Sequence, residues 1–328
     1  MAKPERLRPG LQTSGYRIER PLGRGGMGEV WEATQLSLDR RVALKVIASD
    51  ISADPGFEQR FRMEAQMSAR VKHDAILPVF DHGTLDDGRL FLAMTLIDGP
   101  DLSAVLAERG SFPLQEAIAV LLPIAEAIDA AHERDLVHRD IKPSNVLLER
   151  QRGGWRPYLA DFGLAKARTG GTRHTRTGDV VGSVDFMAPE QARGDRIIDG
   201  RVDVYAFGCL LYHTITGENP YPRDTPTATM LAHVNDAPPM PSRIKPELPR
   251  AVDRVIRRAM EKDTDRRAQS AGALMRWLQQ QIEPSHDGAT AARANPTRRP
   301  LGFLARFAVD VAILSPVFAL AYLIGASL

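Results

Sequence analysis

The run from His138 to Asn145 constrains this chain more than any other part of its sequence. Within it, Asp140 can accept the proton of an attacking hydroxyl, Lys142 can neutralise a phosphate, and Asn145 can offer an amide oxygen to a metal ion. Asp161, which opens an Asp-Phe-Gly tripeptide further along the chain, offers a second oxygen ligand. An ordinary polar loop would not explain why each group has a chemical role. The chain must therefore fold so that the two segments meet.

A glycine cluster precedes these residues, with the spacing G-x-G-x-x-G-x-V between Gly23 and Val30. Glycines let a backbone turn tightly and approach phosphate oxygens closely. A dinucleotide-binding fold requires a helix directly after such a loop, whereas residues 30–34 are typical of a strand. The pattern favours a glycine flap between two strands over a Rossmann site, and a plain glycine-rich hairpin turn is the alternative.

Lys45 lies in the apolar run Val42–Ile47, which predicts a strand. A lysine in such a strand commonly extends its ammonium to solvent, but after a glycine loop it can instead hold the phosphates of a nucleotide. It would then need an acid to orient it, and Glu64 lies on the helical segment that follows. Glu64 could equally be a solvated helix charge, and its pairing with Lys45 is favoured because the other groups are present.

Apolar periodicity predicts an α+β chain, with a small β-rich lobe over residues 16–97 and a larger helical lobe over residues 98–282. The first lobe is expected to contain one helix, Phe57–Lys72, and strands at Tyr16–Leu22, Val30–Thr34, Val42–Ile47, Ile76–Val79 and Leu90–Leu96. The second is expected to contain helices at Leu114–Glu133, Val202–Gly217, Arg250–Lys262 and Ser270–Ile282. Residues 1–15 are polar and predict a disordered leader.

Composition excludes some other classes of protein. Lys and Arg number 43 against 41 Asp and Glu, which gives no reason to expect nucleic acid as a partner. The single cysteine, Cys209, rules out a disulfide within the chain. Because Cys209 lies in an apolar run, we expect a buried structural thiol rather than a nucleophile.

Together these motifs resemble those of eukaryotic-type (Hanks-type) serine/threonine protein kinases of the bacterial receptor-kinase group, and the resemblance extends from Tyr16 to Ile282. It implies a two-lobed protein kinase fold that binds ATP with Mg²⁺ (or Mn²⁺) in the cleft. It also implies transfer of the γ-phosphate to protein hydroxyls, and Lys142 is the serine/threonine pattern. Gly182-Ser183 stands where the family usually has Gly-Thr, and the serine retains the hydroxyl.

The resemblance also assigns roles to individual residues. The catalytic group would be Lys45, Glu64, Asp140 and Lys142, and the metal ligands would be Asn145 and Asp161. The resemblance also implies a set of nucleotide contacts. They come from the glycine loop, the gatekeeper, the hinge, the acid that binds ribose and the residues that enclose adenine. These residues are Leu22, Gly23, Arg24, Gly25, Gly26, Met27, Gly28, Val30, Ala43, Lys45, Met94, Leu96, Asp101 and Leu147. Further along, Glu190 of an Ala-Pro-Glu segment would pair with Arg267, and Asp203 would brace the catalytic loop.

Arg139, directly before Asp140, indicates how such a site would be regulated. Kinases with this arginine often need an activation-loop phosphate to pair with it, and Thr175 and Thr177 match the phosphorylated pair of the bacterial group. We expect autophosphorylation in trans on both threonines. The resemblance also implies a homodimer. A solvated, threonine-rich loop is the alternative.

Two other functions are compatible with the same fold. A pseudokinase scaffold usually lacks at least one of the residues Lys45, Glu64, Asp140, Asn145 and Asp161, and this chain has them all. Kinase-fold enzymes that act on small molecules, such as aminoglycoside phosphotransferases, lack the Ala-Pro-Glu segment and the extended loop before it. Both are therefore disfavoured against a protein kinase.

The C-terminal segment has a different character. Residues 283–302 form an aperiodic linker, and residues 303–328 are apolar except for Arg306 and Asp310. Val311–Leu328 approaches the length of a spanning helix, and the arginines before it predict a single-pass anchor in the cell membrane with the kinase domain in the cytoplasm. The Arg306-x-x-x-Asp310 pattern also resembles the start of an RDD-type membrane domain. A buried helix or a helix lying on the membrane are the alternatives.

Overall fold

The computed structural model describes residues 6–162 and 184–282. Thr175, Thr177, the linker over 283–302 and the apolar segment over 303–328 lie outside these residues. Within the described ranges, no helix combines the length and the apolar character needed to cross a bilayer.

The N-terminal lobe is an antiparallel sheet of six strands in the order β1-β2-β3-β4-β6-β5. Successive side chains of a strand point to opposite faces, so β4 sends Val42, Leu44 and Val46 into one core and leaves Ala43 and Lys45 on the other face. This alternation places Lys45 on the face of the sheet that its predicted role in phosphate binding requires. The strands are β1 (Gln12–Thr13), β2 (Tyr16–Gly25), β3 (Gly28–Gln35), β4 (Arg40–Ile47), β5 (Val79–Thr84) and β6 (Leu90–Thr95).

One predicted strand of this sheet is displaced. The sequence predicts a strand at Ile76–Val79, whereas β5 begins at Val79 and continues to Thr84. Pro78 has no N–H for a ladder, although its carbonyl accepts a hydrogen bond from the backbone of Thr95. Ile76 instead forms an isolated bridge with Leu159 in the other lobe.

The prediction of a disordered leader is wrong for residues 6–15. Leu7 is buried against the outer core of the sheet, and Gly10 and Leu11 exchange backbone hydrogen bonds of 2.8 Å with Ile18. Gln12 and Thr13 then form β1, the first strand of the sheet. Two leucines, Leu7 and Leu11, in a polar segment gave no periodic signal, so their burial could not be predicted from local pattern.

Two helices, α1 (Ser49–Ser52) and α2 (Pro55–Arg70), lie beside the sheet. Asp54 caps α2 by accepting a hydrogen bond of 2.9 Å from the N–H of Gly56. Phe57, Phe61 and Ala65 of α2 pack into one cluster with strand residues of β4 and β6. The helix predicted at Phe57–Lys72 is confirmed, two residues earlier at each end, and these contacts fix α2, with Glu64 buried on it, next to the sheet.

The C-terminal lobe is mainly helical, with one two-stranded sheet. Its helix α6 is buried along most of its surface, as its continuous apolar run predicts. Cys209 on α6 is fully buried, and this burial raises the pKa of its thiol, which confirms the structural role. The elements are α3 (Leu102–Arg109), α4 (Leu114–His132), β7 (Val146–Gln151), β8 (Gly154–Leu159), α5 (Pro189–Arg193), α6 (Arg201–Thr216), α7 (Pro226–Asn235), α8 (Arg250–Ala259) and α9 (Ala271–Ile282).

An ion pair in the core of this lobe joins distant parts of the chain. Both guanidinium nitrogens of Arg267 donate to the carboxylate of Glu190, over 2.6 and 2.9 Å, and both side chains are buried. Arg267 also donates to the carbonyl of Arg201 at the start of α6. The predicted Glu190–Arg267 pair is confirmed, and it anchors α5 to α6 and to the segment before α9.

Glu190→Gln should therefore destabilise the protein strongly. The substitution leaves the buried guanidinium of Arg267 without its counter-charge, which costs about 3–5 kcal/mol. The matched control is Asp236→Asn, which breaks an exposed ion pair with Arg223 and should cost at most about 1 kcal/mol. Urea unfolding measures both, and equal costs for the two variants would contradict this role of Glu190.

Candidate active site

The glycine loop forms the hairpin between β2 and β3. Gly28 adopts a φ of +143°, and a Cβ there would collide with the carbonyl oxygen of Val46, so only glycine fits. Gly23 and Gly25 have no such internal constraint, because a Cβ on either would meet open space. The fold itself thus needs one of these glycines, and the other two leave room for a ligand to approach the backbone.

Lys45 is buried on the cleft side of β4, and its ammonium lies 2.7 Å from Oδ1 of Asp161. The structure thus pairs Lys45 with Asp161, and the predicted Lys45–Glu64 ion pair is not formed between these two described residues. Asp161 has a left-handed φ of +65°, a conformation that is costly outside glycine and concentrates at functional sites. Its carboxylate therefore meets the lysine from the opposite lobe.

This ion pair governs the charge of Asp161. Burial by itself raises the pKa of Asp161, but the Lys45 ammonium, and then the charges of His138 and Lys142, outweigh it, so the pKa lies below its usual value. The carboxylate is consequently ionised at neutral pH and suited to a cation.

Asp140 lies at the centre of a small hydrogen-bonded group. Its Oδ2 accepts hydrogen bonds from Lys142 Nζ at 2.7 Å and from Asn145 Nδ2 at 3.2 Å. The same Asn145 nitrogen donates to the backbone carbonyl of Asp140 at 2.7 Å. Among the described residues, none donates a hydrogen bond to Oδ1 of Asp140, so this oxygen is available to accept a proton.

Asp203, on the first turn of α6, holds the loop that carries Asp140. Its carboxylate accepts hydrogen bonds from the ring of His132 at 2.8 Å and from the backbone N–H groups of His138 and Arg139, each at 2.7 Å. Arg139 has a left-handed φ of +68°, which these bonds help to maintain. The predicted bracing role of Asp203 is confirmed.

His138 connects this loop to the segment of Asp161. The ring of His138 hydrogen-bonds through Nε2 to the carbonyl of Ala160 at 2.8 Å. It also packs against the ring of Phe162, with centroids 4.7 Å apart. The two polar segments identified in the sequence are therefore brought together by one buried histidine.

The cleft has an apolar end formed by both lobes. Ala43, Met94, Val30, Leu96 and Leu147 lie in one cluster, as their predicted role requires. Three further buried residues of the cluster were not predicted from the sequence. These residues are Leu77, Tyr158 and Ala160. The signal available in the sequence was their apolar character in or beside predicted strands and the Asp-Phe-Gly segment.

The remaining predicted nucleotide contacts lie around this cluster. Asp101 caps α3 by accepting hydrogen bonds from Ala104 and Ser103, and it forms an isolated bridge with Leu147. Leu22 and Arg24 are exposed on β2. Met27 is partly buried and packs on the α2 cluster.

These residues suit a nucleotide with a divalent metal. Oδ1 of Asp161 is a buried carboxylate oxygen whose one contact with a described residue is the Lys45 ammonium. In its side-chain hydrogen bonds to described residues, Asn145 uses its nitrogen, which leaves the amide oxygen for a cation. The part of the chain that the structure describes has no group of three or more His, Cys, Asp or Glu able to hold a metal. An ion here would take further ligands from phosphate and water.

Comparisons with known proteins agree with this geometry. Residues 16–279 match the model of the protein kinase domain family. The serine/threonine-protein kinase PknH of Mycobacterium tuberculosis is 38% identical over 274 residues, which cover 84% of this chain and 43% of PknH. PknE of the same species is 40% identical over 267 residues, which cover 81% of this chain and 46% of PknE. The chain thus spans less than half the length of these relatives.

A solved structure shows the same architecture. The kinase domain of Mycobacterium tuberculosis PknI matches this chain with a TM-score of 0.68 and 32% identity. The match covers 84% of this chain and 100% of that domain. The two-lobed fold expected from the sequence is therefore confirmed.

Lys45→Met should raise the pKa of Asp161. Removal of the ammonium takes away the strongest charge that opposes the effect of burial, so the carboxyl should titrate at higher pH. Carbon-13 chemical shifts of the Asp161 carboxyl across a pH titration measure the change. Lys72→Met, on an exposed lysine, is the control, and an unchanged Asp161 titration in Lys45→Met would contradict the assignment of this ion pair.

Proposed function

This chain belongs to the protein kinase domain family, and we propose that it transfers the γ-phosphate of ATP to serine and threonine hydroxyls of proteins in bacterial signalling. The observation that carries the proposal is the Asp140 carboxylate, which Lys142 and Asn145 hold through Oδ2 while Oδ1 receives no hydrogen bond from a described residue. Such an oxygen can accept the proton of an attacking hydroxyl.

The other residues would position the reacting groups and neutralise phosphate charge. Lys142, 2.7 Å from Asp140, places a positive charge beside the acceptor oxygen, where phosphate charge would develop. Lys45 and the glycine hairpin would hold the phosphates. Asn145 and Asp161 would bind Mg²⁺ (or Mn²⁺), an ion that bridges phosphate oxygens and offsets their charge when bound.

The choice of serine and threonine rests on two observations. Lys142 follows Asp140-Ile141, in the serine/threonine pattern, and the relatives PknH and PknE are named serine/threonine-protein kinases. A pseudokinase scaffold is the second candidate. It is disfavoured because the catalytic groups are all present in the sequence, Asn145 hydrogen-bonds to Asp140, and Lys45 pairs with Asp161.

Asp140→Asn should abolish most phosphoryl transfer. The amide cannot accept the hydroxyl proton, so the rate should fall by roughly 10²–10⁴-fold, the range that a positioned base contributes. Transfer of labelled γ-phosphate to a generic protein measures the rate, and acid hydrolysis should return phosphoserine and phosphothreonine. Asp263→Asn, on an exposed loop residue, is the control. A full rate in Asp140→Asn would contradict the proposal.

We further propose that the chain activates itself by phosphorylating Thr175 and Thr177 in trans, within a homodimer. Arg139 supports this proposal, because its Nε is buried and has no hydrogen-bond partner among the described residues. A phosphate near Arg139 would supply that partner and order the loop.

Phosphopeptide mapping of the active protein should find phosphate on Thr175 and Thr177. Phosphatase treatment should then lower the rate of the unsubstituted protein. In Arg139→Gln, treated and untreated protein should react at the same rate, because the group that senses the phosphate is gone. Unmodified threonines in fully active protein would contradict the proposal, as would an equal phosphatase response in Arg139→Gln.

We also propose that residues 303–328 anchor the chain in the cell membrane as a single pass, with the kinase domain in the cytoplasm. The uncharged run Val311–Leu328 and the preceding Arg298, Arg299 and Arg306 support this orientation. The Arg306-x-x-x-Asp310 pattern is also compatible with the first part of a larger RDD-type membrane domain.

Carbonate extraction of membranes from expressing cells should leave the chain in the pellet. Leu320→Asp should move it toward the supernatant, because a carboxylate at the centre of a spanning helix costs about 2.5–3.5 kcal/mol. Release of the unsubstituted chain by carbonate would overturn the anchor.

A further inference from the structure

Helix α8, Arg250–Ala259, has a solvent face made of arginine. The exposed positions recur at i, i+4, i+7 and i+8, which is one side of a helix. The opposite side packs into the core of the lobe. The exposed residues are Arg250, Arg254, Arg257 and Arg258, and the buried residues are Ala251, Val252, Val255, Ile256 and Ala259.

These arginines are not neutralised by their neighbours. Arg250 bonds to Asp253 and Ser242, but Arg254, Arg257 and Arg258 form no ion pair with any described residue. Like charges three and four residues apart destabilise a helix. The helix dipole offsets part of this cost for Arg257 and Arg258 in the last turn, and it does not explain Arg254.

Two other exposed helical arginines of the same lobe are arranged differently. Arg109 pairs with Glu116 at 2.7 Å, and Arg276 of α9 pairs with Glu126 at 2.9 Å. A face that keeps three arginines without an acid therefore has the electrostatic character of a binding surface for an anionic partner.

Helix α9 extends this surface. It contains no acidic residue, and its Trp277 is partly exposed beside α8. The Arg254 guanidinium lies over the Trp277 ring, 5.2 Å from the centroid. Stacking restricts the arginine while its N–H donors stay available to an anion. Tryptophan is enriched at membrane–water interfaces, and arginine is enriched on the cytoplasmic side of a membrane.

We propose that this surface, named here the α8–α9 face and defined by Arg254, Arg257, Arg258 and Trp277, docks on the anionic headgroups of a lipid bilayer. Guanidinium groups bind phosphate oxygens through paired hydrogen bonds, and Trp277 inserts at headgroup level. The surface would hold the C-terminal lobe against the membrane and so set the orientation of the cleft.

Chain connectivity favours lipid over a soluble anionic protein, and here the inference rests on the proposed anchor. Helix α9 ends at Ile282, and the 20 residues 283–302 separate it from the apolar segment. A random-coil chain of 20 residues has an end-to-end distance of about 25 Å. An anchored chain would thus keep the α8–α9 face at high effective concentration near headgroups, where weak charge contacts suffice.

The test compares the full chain on phosphatidylcholine vesicles with and without phosphatidylglycerol. The unsubstituted chain should prefer the anionic vesicles, and high salt should reduce the preference. An arginine near an anionic surface contributes about fivefold to binding, so Arg254→Gln/Arg257→Gln/Arg258→Gln should lower the preference by on the order of a hundredfold. Thermal unfolding verifies that this variant is folded.

The matched control removes three arginines elsewhere whose side chains are 43–44% exposed and ion-paired, in Arg17→Gln/Arg62→Gln/Arg223→Gln. It loses the same net charge and should keep the preference for anionic vesicles. Equal losses in both variants would show a general charge effect and overturn the proposal. Loss of polyglutamate binding in the α8–α9 variant with unchanged vesicle preference would assign the face to an acidic protein and likewise overturn it.

The two membrane proposals fail in different ways. Carbonate extraction reports the anchor whatever the lipid charge, whereas the ratio of binding to anionic and neutral vesicles reports the α8–α9 face. A chain that resists carbonate but shows no preference for phosphatidylglycerol keeps the anchor and loses the docking surface. A chain that is released by carbonate and still prefers anionic vesicles keeps the surface and loses the anchor.

Discussion

The site depends on the hydrogen bonds that the buried carboxylate of Asp203 accepts. This carboxylate accepts three hydrogen bonds, one from the ring of His132 and two from the backbone of His138 and Arg139. Buried N–H groups need partners, and the left-handed backbone of Arg139 costs about 1–3 kcal/mol. Asp203, which is held on helix α6, offsets both costs by accepting these hydrogen bonds. The position of the next residue, Asp140, follows from this arrangement.

A second carboxylate links the two lobes. Asp161 comes from the C-terminal lobe and pairs with Lys45 of the N-terminal sheet in a largely buried setting, where a charge pair interacts more strongly than in water. Glu64 is also buried, on α2, but it forms no ion pair with Lys45. The packing of the two lobes therefore decides which acid meets this ammonium.

Much of the site could be predicted because its chemistry is encoded in short local motifs. Asp140, Lys142 and Asn145 lie within six residues of each other, so their contacts needed no knowledge of distant packing. The partner of Lys45 could not be predicted in this way, since Asp161 and Glu64 are both acids and only the packing of the lobes selects between them. The burial of Leu7 was missed for a similar reason, because it depends on the edge of a sheet formed later in the chain.

The sequence by itself determined which chemical groups the chain carries and the periodicity of its strands and helices. The alternation that puts Lys45 on the cleft side of β4 and the arginines on one side of α8 is local backbone geometry. Tertiary structure alone decided that Lys45 meets Asp161 and that Trp277 lies beneath Arg254. Such pairings join residues far apart in the chain, and the packing of whole elements, which no short pattern encodes, sets the distance between them.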